Sequence, residues 1–218
     1  MLEELINANK YLTENIKKYR KTAPLFEEFE KETIENNIPI ISYEVAEYLK
    51  FILRNGKIKN VLEIGTAVGY SGIIIANEIK KNNGILYTIE INEDRYKDAI
   101  SNFKKFNVDN VTAIYGDALE EIKKIKIEKT ENKFDLIFFD ASKSHYMEFF
   151  NDSYELLNKN GIIFIDNLLF RGYIYNDYPR RFKTIVERLK KFITYLYEIE
   201  DDFVLLPFGD GVGILRKK

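Results

Sequence analysis

Two apolar segments of the sequence end in side chains that could bind a metal ion. Residues 134–139 are followed by Asp140, and residues 162–165 are followed by Asp166 and Asn167. If both segments are parallel strands, their carboxyl ends meet at the same edge of a sheet. Two carboxylates and an amide oxygen are hard ligands of the kind that Mg²⁺ prefers. The alternative is an ordinary strand-ending turn, in which Asp and Asn side chains bond to nearby backbone.

A second group of candidate residues follows three earlier apolar segments. The stretch VLEIGTAVGYSG places Gly65 after the first, where glycine lets the backbone approach a ligand and the next helix offers free N–H groups. Ala67 stands where the motif G-x-G-x-x-G has its second glycine, which argues against a dinucleotide site. Glu90 could accept both hydroxyls of a ribose, and Asp117 could face an adenine amino group. Each has an ordinary alternative, namely a turn for Gly65 and helix-capping positions for the two acids.

The elements that position these residues follow from the apolar periodicity. Short apolar runs alternate with amphipathic stretches from residue 60, which predicts βαβ units and an α/β fold with a doubly wound, mostly parallel sheet. Two last runs predict an antiparallel hairpin through Gly209-Asp210-Gly211. Strands are expected at 60–65, 84–90, 110–116, 134–140, 161–166, 203–208 and 211–217. Helices are expected at 2–20, 24–36, 42–54, 70–81, 93–106, 117–125, 144–158 and 180–199.

Composition limits the class of protein. The chain has 218 residues, 45% hydrophobic and 31% charged, which favours one domain, with an N-terminal helical segment at 1–56 and an α/β core at 57–218. Cys is absent, which excludes a disulfide framework and a Cys nucleophile. No signal peptide or membrane span is visible, so we expect a cytoplasmic protein without a membrane partner. Because the net charge is −2, any nucleic-acid surface would have to be a local patch.

Five segments together resemble the motifs of class I S-adenosylmethionine-dependent O-methyltransferases. The segments are VLEIGTAVGYS, YTIE, YGDALE, DASKSHY and DNLLFRG. They are most similar to the metal-dependent catechol and caffeoyl-coenzyme A O-methyltransferase family, from about residue 36 to the C-terminus. The resemblance implies a Rossmann-like methyltransferase fold, S-adenosylmethionine (SAM) as methyl donor, and Mg²⁺ or another divalent cation. Members of the family are often homodimers, so a homodimer is expected.

The resemblance also implies catalytic and metal-binding roles. Asp140, Asp166 and Asn167 occupy the metal-ligand positions of the family. Lys143 stands where the family has a lysine near the substrate hydroxyl. A nearby dication favours the neutral amine, so Lys143 is the expected general base, and its alternative is a solvated surface lysine. The only histidine, His145, is expected to be structural or to lie at the rim of the site.

Similarity to the family predicts the SAM-binding residues as well. The methionine part is expected against Ile41 and Ser71, the ribose on Glu90, and the adenine near Asp117. Asp140 is expected to serve both the cofactor and the metal. The complete expected set is Ile41, Gly65, Ser71, Glu90, Asp117, Ala118 and Asp140.

The segment after the Asp-Asn pair bears on the substrate. Residues 167–192 contain seven basic and two acidic residues, and seven minus two gives a local charge of +5. Basic groups bind phosphates, and the tyrosines between them could stack on a base. We interpret three arginines as candidates for tRNA binding: Arg171, Arg180 and Arg181. Three further cations are interpreted as the solvated face of a helix: Arg188, Lys190 and Lys191.

The pattern DNLLFRG…RR…PFGDGVGILRK also resembles, over nearly the whole chain, the branch of the family that methylates 5-hydroxyuridine at the wobble position of tRNA. We therefore expect the tRNA anticodon region as partner and 5-methoxyuridine as product. A catechol or caffeoyl-type small molecule, which also presents two neighbouring oxygens, is the alternative acceptor. Two other classes stay open: a nicotinamide-dependent oxidoreductase, against which the missing glycine argues, and a catalytically silent RNA-binding module.

Overall fold

The computed structural model describes residues 2–128, 133–199 and 202–218. Within these residues, no helix combines the length and the apolar character needed to cross a membrane. The helices are α1 (Leu2–Tyr19), α2 (Pro24–Glu35), α3 (Tyr43–Asn55), α4 (Tyr70–Lys80), α5 (Glu93–Lys105), α6 (Ala118–Glu128), α7 (Tyr146–Ser153) and α8 (Lys183–Glu198). The strands are β1 (Asn60–Ile64), β2 (Ile85–Glu90), β3 (Val111–Tyr115), β4 (Phe134–Phe139), β5 (Leu157–Ile165), β6 (Asp202–Leu206) and β7 (Val212–Arg216).

The seven described strands form one sheet in the order β3-β2-β1-β4-β5-β7-β6. Strands β1 to β5 pair in parallel, and β7 runs antiparallel to both β5 and β6. The predicted α/β class, the mostly parallel sheet and the C-terminal antiparallel hairpin are confirmed. Because β7 inserts between β5 and β6, β6 alone forms that edge of the sheet.

The central strands of the sheet are buried on both faces. Side chains of successive strand residues point to opposite faces, so Leu136 and Phe138 pack with α3, α4 and α5, whereas Ile137 and Phe139 pack with α6, α7 and α8. All four side chains are completely buried. A parallel strand between two helical layers needs apolar residues on both faces, which explains the mostly apolar runs in the sequence.

The N-terminal helices are tied to α4 by a buried ion pair. Arg20, directly after α1, binds the carboxylate of Glu30 in α2, with 2.7 Å between Nη1 and Oε1. The Tyr70 hydroxyl of α4 donates to the same carboxylate at 2.5 Å, and the Arg20 guanidinium lies 4.4 Å from the Tyr43 ring centroid. Glu30 is buried, so removal of one partner would leave an uncompensated charge in the interior. These contacts hold α1 and α2 against the helix that follows the glycine-containing loop.

Hydrogen bonds beyond the last strand residues align the carboxyl ends of the central strands. The Asp140 N–H donates to the carbonyl of Ile64 at 3.0 Å, and the Asp166 N–H donates to the carbonyl of Phe139 at 3.0 Å. The ends of β1, β4 and β5 therefore lie side by side. Between β1 and β4 the strand order reverses direction, and open α/β sheets bind their ligands at such a point.

The prediction of a single helix over 144–158 is wrong in its extent. The chain forms a 3₁₀ turn at Lys143–His145, then α7, then a second 3₁₀ turn at Tyr154–Leu156, and β5 begins at Leu157. Leu157 pairs with Phe134 at the start of β4, with a register irregularity before the next pair. Pairing with a distant strand thus overrides the local helical spacing. The helix predicted from 180 likewise begins with a 3₁₀ turn at Arg180–Phe182.

Candidate active site

A cavity of about 480 Å³ opens at the carboxyl ends of β1 to β5. Its volume is typical of a site for a small molecule. The structure brings together at its wall eight of the residues predicted from the sequence. They are Gly65, Glu90, Asp117, Ala118, Asp140, Lys143, Asp166 and Asn167.

The loop after β1 has a backbone that few residues could adopt. Gly65 has φ of 102°, and a Cβ there would overlap the carbonyl group of Asp140. Ala67, at the position where dinucleotide sites carry glycine, also has a left-handed φ of 46°. Its N–H donates to Oε2 of Glu90 at 2.8 Å. The loop is thus held against both β2 and β4.

The carboxylate of Glu90 is fixed on both oxygens. Oε2 accepts from Ala67, and Oε1 accepts from the N–H of Asn92 at 2.9 Å. Asn92 is the N-cap of α5, so Glu90 lies beside a helix cap and lines the cavity at the same time. Each carboxylate oxygen has a second lone pair, which leaves acceptors for two ligand hydroxyls.

Asp117 likewise combines two roles that the sequence left as alternatives. Its Oδ1 accepts from the N–H of Leu119 at 2.8 Å, at the start of α6, as a capping residue does. Asp117 and its neighbour Ala118 also line the cavity. Capping a helix and facing a ligand are therefore compatible at this position.

Two residues expected to contact the cofactor lie outside the cavity lining. Ile41 is buried in the hydrophobic layer of α3 and α4, and its neighbours Pro39 and Ile40 line the cavity instead. The Ser71 hydroxyl donates to Oε1 of Glu63 at 2.5 Å and is buried behind the loop. Neither Ile41 nor Ser71 lines this cavity, and their contacts with a cofactor stay predictions.

Glu63 is a buried carboxyl group inside β1. It accepts hydrogen bonds from Ser71 and, at 2.6 Å, from the hydroxyl of Thr88. Burial raises the pKa of Glu63 to about 7, the two hydrogen bonds lower it, and the charge of Glu90 raises it further. Sequence analysis did not single out Glu63, although a charged residue inside the apolar run VLEIG was a usable signal.

Asp140 and Asp166 form the electrostatic centre of the site. Burial raises the pKa of both carboxyl groups above the usual range, and the charge of Asp140 raises the pKa of Asp166 further. The nearby Lys143 ammonium opposes this rise at both acids. When both buried carboxyl groups are ionised, their negative charge exceeds the positive charge of the one nearby lysine. A divalent cation bound there would balance the excess.

The turn after β5 offers a donor set that fits a hard cation. Asn167 has φ of 59°, which Asn tolerates better than most residues, and its N–H donates to Oδ1 of Asp166 at 2.7 Å. Among the described residues, no three His, Cys, Asp or Glu side chains group as metal ligands. A cation at this edge would therefore bind two carboxylates and the Asn167 amide, with water or substrate oxygens completing its shell. The hydrogen bond from the Asn167 N–H to Asp166 also shows that the strand-ending turn, which was the alternative interpretation of this pair, is present.

The segment DASKSHY places three side chains around the acidic pair. Lys143 is half-buried and lines the cavity, as does His145, whose Nδ1 lies 3.3 Å from the Ser144 hydroxyl. Tyr146 is completely buried, and its hydroxyl donates to the backbone carbonyl of Asp166 at 3.0 Å. Tyr146 therefore holds the turn that carries Asp166 from behind.

The loop after Asn167 is held by the tip of the C-terminal hairpin. The N–H of Leu168 donates to the carbonyl of Gly211 and that of Leu169 to the carbonyl of Asp210, both at 2.9 Å. The N–H of Arg171 donates to Oδ1 of Asp210 at 2.5 Å. The hairpin thus fixes the backbone between the acidic pair and the basic segment.

The basic segment lies on the surface next to the cavity. Tyr173 stacks on Phe182 within the segment, at 5.4 Å between ring centroids, and the Arg181 guanidinium lies 4.8 Å from the same ring. Tyr175 is 56% exposed, so it is the tyrosine whose face is most open to a base. Three exposed arginines stand outside the cavity lining: Arg171, Arg180 and Arg181.

Sequence reasoning missed other functional candidates. Arg95 lines the cavity in the first turn of α5, five residues after Glu90, and its place after an acid-ended strand was the available signal. Tyr146 is the last residue of the segment DASKSHY, and its position three residues after Lys143 in that segment was the available signal. For Pro39 and Ile40 the loop sequence carries no periodic signal.

Known proteins share both the sequence pattern and the fold. A family model described as O-methyltransferase matches residues 15–218. A caffeoyl-CoA O-methyltransferase of Medicago sativa is 31% identical over 190 residues, 83% of this chain and 76% of the relative. The SAH-bound structure of a methyltransferase from Podospora anserina has a TM-score of 0.83 at 28% identity, over 97% of this chain and 95% of that one. An SAH-bound O-methyltransferase from Bacillus cereus has a TM-score of 0.83 at 23% identity over 100% of both chains, a likeness of fold alone.

Proposed function

The chain belongs to the O-methyltransferase family, and we propose that it methylates the 5-hydroxyl of 5-hydroxyuridine at the wobble position of tRNA. SAM is the methyl donor, and Mg²⁺ or another divalent cation assists. The observation that carries the choice of acceptor is the set of exposed arginines Arg171, Arg180 and Arg181 in the basic segment 167–192, of which Arg171 lies four residues after Asn167.

The cavity wall supports SAM binding by residues from four strand ends. The ordered Glu90 carboxylate would accept the ribose hydroxyls, and Asp117 with Ala118 would border the adenine. Gly65 allows the backbone to pass close beneath the cofactor. Pro39 and Ile40, which line the cavity next to the predicted Ile41, would border the methionine part.

The acidic centre would hold the cation through Asp140, Asp166 and Asn167. When bound, SAM supplies an electrophilic methyl group and the cation supplies Lewis acidity toward the acceptor oxygens. The cavity wall carries oxygen donors from Asp140, Asp166 and Asn167, which would limit the orientations in which two neighbouring acceptor oxygens bind. Tyr146 keeps this arrangement in place through the Asp166 backbone.

Lys143 handles the proton in this proposal. Its amine lines the cavity beside both acids and, in its neutral form, takes the proton of the acceptor hydroxyl. The oxygen left behind is the nucleophile for in-line methyl transfer. Phe149 also lines the cavity and helps to exclude water.

The charge distribution supports a polynucleotide acceptor. The chain has a net charge of −2, yet the segment 167–192 carries a charge of +5, seven basic minus two acidic residues. Its arginines are exposed, and the segment begins at Asn167 on the cavity wall, so a phosphate backbone could bind to it when one base enters the cavity. In 5-hydroxyuridine the 5-hydroxyl and the 4-carbonyl form the required pair of neighbouring oxygens.

A small phenolic acceptor with two adjacent hydroxyls is the second candidate. It is favoured by the relative from Medicago sativa, which is a caffeoyl-CoA O-methyltransferase and shares 31% identity. The same acidic centre would serve both acceptors, so the two candidates differ in the contacts outside the cavity.

The test is nucleoside analysis by mass spectrometry after incubation with SAM, Mg²⁺ and tRNA that carries 5-hydroxyuridine. We expect 5-methoxyuridine, its loss with EDTA, and its loss in Asp166→Ala. The double variant Arg180→Glu/Arg181→Glu should lose activity on tRNA, whereas the matched charge reversal Lys104→Glu/Lys105→Glu, at the far end of α5, should keep it. Methylated catechol or caffeoyl-CoA without any methylated nucleoside would refute the tRNA proposal and favour the second candidate.

A further inference from the structure

A second cavity adjoins the first on the other side of Lys143. It has a volume of about 180 Å³ and lies between the DASKSHY segment with α7 and the helix α8, so we name it the α7–α8 cleft. Lys143 lines both cavities. The residues of the cleft are Lys143, Ser144, Met147, Glu148, Arg188, Lys191 and Phe192.

The cleft has an excess of positive charge. Three of its lining residues are basic, and Glu148 is its one acidic lining residue. Arg188 donates from Nη1 to the carbonyl of Ser144 at 2.9 Å and lies 3.9 Å from Glu148. A guanidinium has five N–H donors, so Arg188 keeps donors for an anion. Lys191, three residues later on the same helix, has no ion-pair partner within the described part of the chain.

Neighbouring cations on α8 are engaged elsewhere. Lys183 forms an ion pair with Glu187 at 3.8 Å. The Lys190 ammonium lies 5.7 Å from the ring centroid of Tyr178. Arg188 and Lys191 are thus the basic residues of α8 that line the cleft, although the sequence pattern alone assigned both to a solvated face.

We propose that the α7–α8 cleft binds a phosphate group of the acceptor through Arg188 and Lys191. The proposal rests on the proposed function, since the acceptor group being methylated occupies the main cavity on the other side of Lys143. A cavity of this volume accommodates a tetrahedral anion with its hydration, and a guanidinium next to an ammonium provides directed, charge-assisted donors.

Arg188 and Lys191 both line the cleft and would balance the charge of a bound phosphate. Two acceptors carry a suitable phosphate: the backbone of an RNA and the coenzyme A part of a thioester. A simple catechol carries none.

The test measures binding without methylation. Fluorescence anisotropy of a labelled anticodon stem-loop RNA, and competition by coenzyme A, are compared in the wild type, Lys191→Glu and Lys190→Glu. We expect Lys191→Glu to weaken binding about tenfold, since it reverses a charge that meets a phosphate. The slope of log affinity against log salt concentration should become less steep by about 0.7, because one phosphate contact with a single strand is lost. Lys190→Glu, the matched neighbour outside the cleft, should change affinity by less than about twofold.

Arg188→Gln provides a second variant with the same expected direction. Weaker binding of RNA, of coenzyme A or of both in Lys191→Glu supports the site and identifies the source of the phosphate. Equal effects of Lys191→Glu and Lys190→Glu, or no binding of either ligand by the wild type, would overturn the proposal. Because no methylated product is needed, failure of the proposed function would appear separately in the nucleoside analysis.

Discussion

Replacement of Tyr146 by phenylalanine removes one hydroxyl from behind the acidic centre. That hydroxyl donates to the Asp166 carbonyl at 3.0 Å, and the side chain is 1% exposed. The ring packs against Phe139 and Phe192, at centroid distances of 5.8 and 6.2 Å. Phenylalanine keeps this packing, so the substitution isolates the hydrogen bond.

The magnitude follows from the burial of the acceptor. A buried carbonyl that loses its partner is expected to lower the free energy of unfolding by about 1–2 kcal/mol. For a chain of this size the melting temperature should fall by roughly 2–8 °C. The turn bearing Asp166 and Asn167 would loosen, and loss of such a supporting contact typically lowers metal affinity or activity by about 10–100-fold.

Two measurements check this prediction. Thermal melts without divalent cations give the stability change, and the Mg²⁺ concentration for half-maximal methyl transfer gives the effect on the site. Tyr48→Phe is the control, because the Tyr48 ring also packs edge-on against Phe208 at 5.3 Å while its hydroxyl has no hydrogen-bond partner among the described residues. If Tyr146→Phe has the same melting temperature as the wild type and needs the same Mg²⁺ concentration for half-maximal methyl transfer, the hydroxyl does not hold the turn and our reasoning is wrong.

Three further substitutions test the interior of the site. Burial raises the pKa of Glu63 from 4.5 to about 7, so its stabilising contribution is complete below pH 4.5 and is lost as pH rises through 7. Between pH 4.5 and 7, Glu63→Gln should therefore lose less unfolding free energy than the wild type in denaturant melts. Parallel plots of unfolding free energy against pH for the two proteins would contradict this. Asp140→Asn should abolish methyl transfer yet stabilise the metal-free protein by about 1–2 kcal/mol above about pH 8, since burial raises the pKa of Asp140 to about 7 and the substitution removes a buried charge that exists above that pH; a lower melting temperature at that pH would contradict this. Ala67→Gly should add about 1 kcal/mol in urea titrations, because a φ of 46° strains residues other than glycine; unchanged stability would show that the loop is unstrained.

The positions of the strands could be predicted because burial on both faces leaves a direct trace in the sequence. A central parallel strand needs apolar side chains on both sides, so β1 and β4 appear as runs that are apolar except for Asn60, Glu63 and Asp135. Once the strands are parallel, residues that end them must share an edge. Glu90, Asp140 and Asp166 therefore meet at one cavity, although they are far apart in the chain.

Other features depend on tertiary contacts that leave no local pattern. The Ser71 hydroxyl donates a hydrogen bond to the buried Glu63 and does not line the cavity, and this partner lies on a different element. In the loop before α3, Pro39 and Ile40 line the cavity instead of Ile41, a shift that no periodicity encodes. On α8 the sequence reveals the buried stripe, but only the packing of α8 against the 3₁₀ turn and α7 decides that Lys191 faces the cleft.

Glu90 also has a consequence for the thermodynamics of ligand binding. A glutamate free in solvent populates many rotamers, and fixing one of them costs about 1.5–2 kcal/mol in side-chain entropy. Here the N–H groups of Ala67 and Asn92 have already fixed the carboxylate when the chain folds. A diol that binds at this wall would meet an ordered acceptor, and its association should lose less conformational entropy than binding to a mobile carboxylate.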